Sequence, residues 1–170
     1  MKRFAELASP LGPILVTSED AVLTRLYLRY DRVPAGTGWT EDASAFRDVA
    51  AQLDGYWAGG LTVFDVPIKT EGTAFQKRVW AVLSEIPYGT TVSYGELATA
   101  IGTPRAVRAV GRANGSNPIS IIVPCHRVIG RDGSLTGYGG GIANKKRLLE
   151  LEGIHFVPAT EDEGVPFVSP

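Results

Sequence analysis

Ser93-Tyr94-Gly95-Glu96-Leu97-Ala98-Thr99-Ala100-Ile101-Gly102-Thr103-Pro104-Arg105-Ala106-Val107-Arg108-Ala109-Val110-Gly111-Arg112-Ala113-Asn114-Gly115 reads as two short helices joined by a tight turn. Ser93 with Glu96 three residues on is a capping box, and Tyr94, Leu97, Ala98 and Ile101 fall on one side of the helix it opens. Gly102 suits the C-terminal cap, Thr103 the next N-cap, and Pro104 the first helical position. The second helix then runs from Arg105 to about Ala113 and stops at Asn114-Gly115. This spacing fits a helix-turn-helix, and it fits an ordinary helical hairpin equally well. Ala106, Ala109, Gly111 and Ala113 are small, whereas Arg105, Arg108 and Arg112 are long and cationic. A slim helix studded with arginine suits close approach to a nucleic-acid backbone or a minor groove, with little choice of sequence.

Upstream, Thr73-Ala74-Phe75-Gln76 is another capping box, and Phe75, Val79, Val82, Leu83 and Ile86 line one face of the helix that follows. Pro87-Tyr88-Gly89 ends it, and the change of character near Lys69–Gly72 marks a boundary. Residues 1–70 read as a small α/β scaffold. Leu11–Val16 and Val22–Leu28 are expected as antiparallel strands, followed by a Pro/Gly-rich loop from Val33 to Gly38. Phe46, Val49, Ala50, Leu53 and Trp57 recur at helical spacing before Gly59-Gly60, and Val63–Val66 is expected as a further strand.

Downstream, the apolar run Ile119–Val123 reads as a strand leading into Pro124-Cys125-His126-Arg127. Cys125 is the only cysteine, so it is either an inert core residue or a reactive thiol. Imidazole and guanidinium nearby favour thiolate. Neighbours on an extended strand point to opposite faces, so His126 serves Cys125 only if the chain turns there or a water bridges them. Pro124 makes a break plausible. After Arg131-Asp132-Gly133-Ser134, the loop Thr136–Gly141 is glycine-rich but lacks the spacing and lysine of a phosphate-binding loop; a pocket wall with one aromatic, Tyr138, explains it better. A last helix covers about Ala143 to Glu152 and stops at Gly153, which puts Glu152 where the helix dipole disfavours an anion.

The chain has 170 residues and 44% hydrophobic content, ordinary for a globular protein with a real core. The net charge of −1 hides an uneven distribution: residues 71–153 carry 10 Lys/Arg against 6 Asp/Glu. No run is long enough to span a bilayer, and no apolar signal segment follows Met1, so a cytoplasmic protein without membrane contact is expected. Residues 1–70 contain neither Cys nor His, so no structural metal is expected there.

Pro124-Cys125-His126-Arg127-Val128-Ile129-Gly130, preceded by Asn117-Pro118 and the Ile/Val run, closely resembles the signature of the O6-alkylguanine–DNA alkyltransferases. The likeness covers about Gly72 to Gly153, and residues 1–70 are similar to the family's smaller domain. The resemblance implies an α+β protein. A small N-terminal antiparallel sheet with helices is followed by a mainly helical domain over 71–155 carrying a winged helix-turn-helix-like element, with residues 156–170 as a loose acidic tail. It implies irreversible, one-per-chain transfer of an alkyl group from O6 of guanine, and from O4 of thymine, to Cys125. His126 would take the thiol proton through a water, Glu152 would hold the imidazole, Tyr94 would donate to the departing oxygen, and Asn117 would brace the turn. Arg108 matches the arginine that fills the gap left by a flipped base. Arg105, Arg112, Thr103, Ala109, Gly111 and Ser93 would complete the DNA surface. Val128, Ile129, Gly130, Tyr138, Gly139 and Lys145 would wall the pocket.

The partner implied is double-stranded DNA carrying alkylated guanine, met from the minor-groove side without sequence preference. The protein is expected to be a monomer, with cooperative binding along DNA left open, and to need no cofactor. One position departs from the family pattern: Gly139 stands where members often carry serine after the pocket tyrosine, which implies a looser pocket. Three other readings fit parts of the chain. A non-catalytic helix-turn-helix regulator leaves Cys125 and His126 idle, a cysteine hydrolase leaves the arginines idle, and a non-catalytic lesion binder does without the acceptor cysteine.

Overall fold

The structure, a computed structural model, describes residues 1–30, 38–157 and 167–168. It divides into two compact units, Met1–Glu71 with Pro118–Ile122, and Gly72–Asn117 with Val123–Pro170. Residues 33–37 of the expected loop and most of the expected tail lie outside the described residues.

The first unit holds a four-stranded sheet in the order β3-β2-β1-β4, built from β1 (Lys2–Leu7), β2 (Ile14–Glu19), β3 (Val22–Tyr27) and β4 (Trp39–Glu41). β1, β2 and β3 are antiparallel neighbours, but β4 runs parallel to β1, so the sheet is mixed rather than antiparallel. β1 carries no apolar run, which is why its sequence does not announce a strand. Val63–Val66 forms no strand; the chain beyond it makes only an isolated bridge, Ile68 to Leu23. Helix α1 (Arg47–Trp57) buries Val49, Leu53 and Tyr56, with Phe46 just ahead of it, while Trp57 is only half-buried.

The apolar run Ile119–Val123 is not a strand either. Leu26 N–H donates to Pro118 O and Ser120 N–H to Leu26 O, giving a single bridge at Ile119. Ile122 N–H then donates to Ser120 O across Ile121, whose φ is +72°. A β-branched residue in that region is strained, and a three-residue turn of this kind reverses the chain instead of extending it.

In the second unit, α2 (Ala74–Leu83) opens on the Thr73/Gln76 capping box and buries Val79, Trp80 and Leu83. The two-residue strand β5 (Val92–Ser93) leads into α3 (Tyr94–Ala100), capped reciprocally by Ser93 and Glu96. The next helix, α4, spans Val107–Gly115. It starts two residues later than the sequence suggests, because Ala106 N–H closes a turn onto Thr103 O. Arg105 therefore lies in that turn, and Thr103 does not cap: its Oγ1 is buried without a hydrogen-bond partner among the described residues. β6 (Val128–Ile129) pairs in parallel with β5, and α5 (Ile142–Leu151) places Glu152 at its C-cap. β7 (Phe156–Val157) and β8 (Phe167–Val168) pair antiparallel.

The two threonines should behave oppositely. Thr73→Ala loses a working cap and should cost about 1 kcal/mol. Thr103→Val removes an unpaired buried hydroxyl and should be neutral or stabilising by up to about 1 kcal/mol. Urea unfolding of both variants tests this; a Thr103→Val loss equal to that of Thr73→Ala would restore Thr103 as a cap.

Candidate active site

Cys125, His126 and Arg127 form a single 3-10 turn between the bend at Pro124 and strand β6. Cys125 N–H donates to Val123 O (2.8 Å) across Pro124, whose φ of −81° and ψ of 63° make the chain turn there. The sulfur is buried. Asn117 Nδ2 donates to Cys125 Sγ at 3.0 Å and to Val123 O at 2.7 Å, bracing the turn from outside it. Asn114 Nδ2 reaches Cys125 O at 3.3 Å. Burial pushes the Cys125 thiol up, partly offset by the Asn117 hydrogen bond and the charge of Lys145. At rest the group is a thiol, not the thiolate that the neighbouring arginine suggests.

That arginine is engaged elsewhere. Arg127 Nε donates to Glu152 Oε2 (2.9 Å), Nη2 to Oε1 (3.0 Å), and Nη1 to Ile86 O (2.6 Å). His126 Nε2 lies 2.7 Å from the same Oε1, and Gly89 N–H donates to Oε2 at 3.2 Å. Burial alone would raise the Glu152 carboxyl, but hydrogen bonds and charge from His126 and Arg127 outweigh it and hold it at about 2. Glu152 is thus an anion that accepts a hydrogen bond from the His126 Nε2–H. Burial pushes the imidazole down, so it is neutral, with its lone pair on Nδ1. Nδ1 is buried and has no hydrogen-bond partner among the described residues. A neutral imidazole with an open, desolvated lone pair one residue from a thiol has the chemistry that general-base work requires.

On the other side of the turn, Lys145 is completely buried. Its Nζ donates to Val128 O (2.5 Å) and Thr136 O (3.0 Å), and burial lowers it to about 8. Tyr94 donates its hydroxyl to the same Thr136 O at 3.0 Å. Burial keeps that phenol protonated. Val128 and Ile129 are buried in β6, and Gly130 is required next: a Cβ there would lie 2.4 Å from Ser134 Oγ and 2.6 Å from Asp132 Oδ1. Tyr138 is half-buried, and Gly139 is exposed with Gly115 O 3.5 Å from a built Cβ.

The arginines Arg105, Arg108 and Arg112 are exposed, and no ion pair involves them among the described residues. Ala109 and Gly111 are half-buried, and Gly111 approaches the Tyr94 ring, 3.7 Å from a built Cβ. Ser93 is committed to Glu96. Among the described residues no group of three His, Cys, Asp or Glu side chains could hold a metal ion, and no helix is long and apolar enough to cross a membrane.

Residues 3–70 match the 6-O-methylguanine DNA methyltransferase, ribonuclease-like domain, and residues 74–154 match the 6-O-methylguanine DNA methyltransferase, DNA binding domain. The chain belongs to the 6-O-methylguanine DNA methyltransferase family. It is 55% identical over 153 residues to the methylated-DNA–protein-cysteine methyltransferase of Mycobacterium tuberculosis, covering 89% of this chain and 93% of that one. The crystal structure of M. tuberculosis OGT in complex with DNA superposes with a TM-score of 0.82 at 55% identity, over 88% of this chain and 92% of that one. S. pombe Atl1, in complex with damaged DNA containing O6-carboxymethylguanine, matches at a TM-score of 0.51 and 31% identity, over 58% of this chain and 92% of that one.

Three participants carried no sequence signal as parts of the site. Arg127 was visible only as a nearby charge, and its pairing with Glu152 closes over 25 residues. Asn114 looked like a helix stop, and Gly89 like a turn residue.

The Glu152 network sets an acid limit on stability. Its carboxyl is held below the ordinary 4.5, so its contribution is complete above pH 4.5 and is lost as pH falls towards 2. A shift of this size corresponds to on the order of 3 kcal/mol. Glu152→Gln should unfold more easily in urea at pH 7 and lack the extra acid dependence between pH 4.5 and 2. Parallel stability profiles for the two proteins would contradict this.

Proposed function

We propose that this DNA alkyltransferase repairs alkylated DNA by moving an alkyl group from O6 of guanine, and from O4 of thymine, to Cys125. The observation that carries this reading is the turn joining one thiol, braced by Asn117 at 3.0 Å, to a neutral imidazole held 2.7 Å from a buried carboxylate. His126 Nδ1, through a water, takes the thiol proton as the lesion arrives. The thiolate attacks the alkyl carbon, the carbon–O6 bond breaks with its electron pair passing to guanine, and Tyr94 donates to the departing oxygen. Tyr94 must first exchange its Thr136 carbonyl for the base, so its proton is held ready until then.

A base inside a duplex hides O6, so the lesion is extruded, at a cost of roughly a few kcal/mol for unstacking. Arg108 fills the gap, with Arg105 and Arg112 against phosphates, a reading supported by the exposure of all three arginines in and just before α4. Contact of this kind carries little sequence preference and suits the minor-groove side. The relative bound to O6-carboxymethylguanine DNA supports a lesion of this chemistry. The product is a thioether that nothing in the chain can reverse, so each molecule acts once. A monomer suffices for this chemistry.

Incubation with duplex DNA labelled in the O6-methyl group should place one label per chain on Cys125 and then stop. Cys125→Ser should accept none, and continuing turnover, or label elsewhere, would sink the assignment. Arg108→Ala should slow transfer from duplex DNA by about tenfold or more while sparing transfer from the free base, because only the duplex requires extrusion. Gly139→Ser, for which the chain has room, should raise sensitivity to guanine-based inhibitors; equal inhibition of both proteins would remove Gly139 as the cause of a looser pocket.

A further inference from the structure

The family match on the second unit ends at residue 154, yet the chain two residues further on is tied to the site. Phe156 is half-buried and packs, with Ile154, against the buried cluster of Ile129, Leu135 and Leu149. Lys146 Nζ lies over its ring, 6.0 Å from the centroid. Its backbone is held as well, since Phe156 pairs with Val168 in the β7–β8 ladder.

Two members of that cluster sit one residue from the backbone atoms that organise the site. Ile129 follows Val128, whose carbonyl accepts from Lys145, and it pairs with Ser93, the residue before Tyr94. Leu135 precedes Thr136, whose carbonyl accepts from both Lys145 and Tyr94. Between them the turn is tight: Gly130 N–H donates to Ser134 O at 2.8 Å, and no side chain fits at Gly130. A shift of Ile129 or Leu135 therefore passes directly to the two carbonyls. Side chains in a close-packed cluster cannot relax independently, so removing Phe156 loosens both.

We propose that Phe156 is a positioning residue for alkyl transfer, backing Ile129 and Leu135 so that the carbonyls of Val128 and Thr136 hold Lys145 and Tyr94 in register with Cys125. This rests on Cys125 being the alkyl acceptor. One label per wild-type chain, and none on Cys125→Ser, verifies that assignment separately, so its failure is distinguishable from failure of the Phe156 role.

The test uses the full chain as wild type, Phe156→Ala and Phe156→Leu, with O6-methylguanine duplex DNA at saturating and limiting concentrations. Phe156→Ala should lower the maximal transfer rate by about tenfold, since small misplacements of reacting groups carry penalties of this size. Half-saturation should stay within about twofold, because α4 is untouched, and Phe156→Leu should recover most of the rate by refilling the volume. Amide exchange should quicken at Val128, Gly130 and Thr136 but not along α4. A Phe156→Ala protein that transfers at the wild-type rate overturns the proposal. So does a loss confined to half-saturation, a Phe156→Leu protein as slow as Phe156→Ala, or exchange that quickens uniformly through the second unit.

Discussion

A carboxylate buried at the end of a helix is an expensive group to keep. Glu152 sits at the C-cap of α5, where the dipole opposes its charge, and it is 5% exposed. It stays ionised because a guanidinium fork, an imidazole N–H and the Gly89 N–H converge on its two oxygens. The site's geometry follows from this convergence. Arg127 and His126 are consecutive residues of one short turn, so satisfying the carboxylate fixes the orientation of the turn that also carries Cys125. Gly89 ties the loop before β5 to the same anion, and its φ of +73° with Glu152 O 3.1 Å from a built Cβ explains why no side chain stands there. Removing one partner of such a network leaves an uncompensated buried charge, typically a loss of about 3–5 kcal/mol.

The same burial that strengthens these bonds leaves the Cys125 thiol protonated. Asn117 and Lys145 lower the thiol, but desolvation outweighs them. A permanently ionised, accessible thiolate would react with any soft electrophile, whereas a buried thiol beside a neutral imidazole is protected from such reactions. Lys145, lowered to about 8, adds its charge from the other side of the turn, and no ion pair holds it among the described residues.

Local signals in the sequence were sound where they depended on neighbours. Both capping boxes, at Thr73/Gln76 and Ser93/Glu96, form with both reciprocal bonds, and the helices they open are present. The reading of Ile119–Val123 as a strand did not survive, because a run of apolar residues records burial and not extension; all but Ile122 of those five residues are buried in a chain that reverses. Thr103-Pro104 carried the signs of a helix start, yet the turn closed by Ala106 moves the start to Val107. The sheet's parallel edge was unreadable, since β4 is three residues long and half of β1 is charged. Within the site, Cys125, His126 and Glu152 stood out from the residues themselves, but their roles, and Asn117 altogether, were legible only through the motif they share with a family. What the residues alone could not supply was long-range pairing, of which Arg127 with Glu152 is the clearest case.

Helix α4 shows how one element can serve two surfaces. Of its small residues, Ala113 is buried and Gly111 lies against Tyr94, so these two pack within the unit. The arginines are left for the opposite side, where nothing in the described chain neutralises them. Asn114, six residues beyond Arg108 and so about 9 Å along the axis, reaches the carbonyl of Cys125 from the same helix. The exposed cation of Arg108 and the support of the Cys125 peptide therefore belong to one rigid element, a single helix of nine residues with no loop between them.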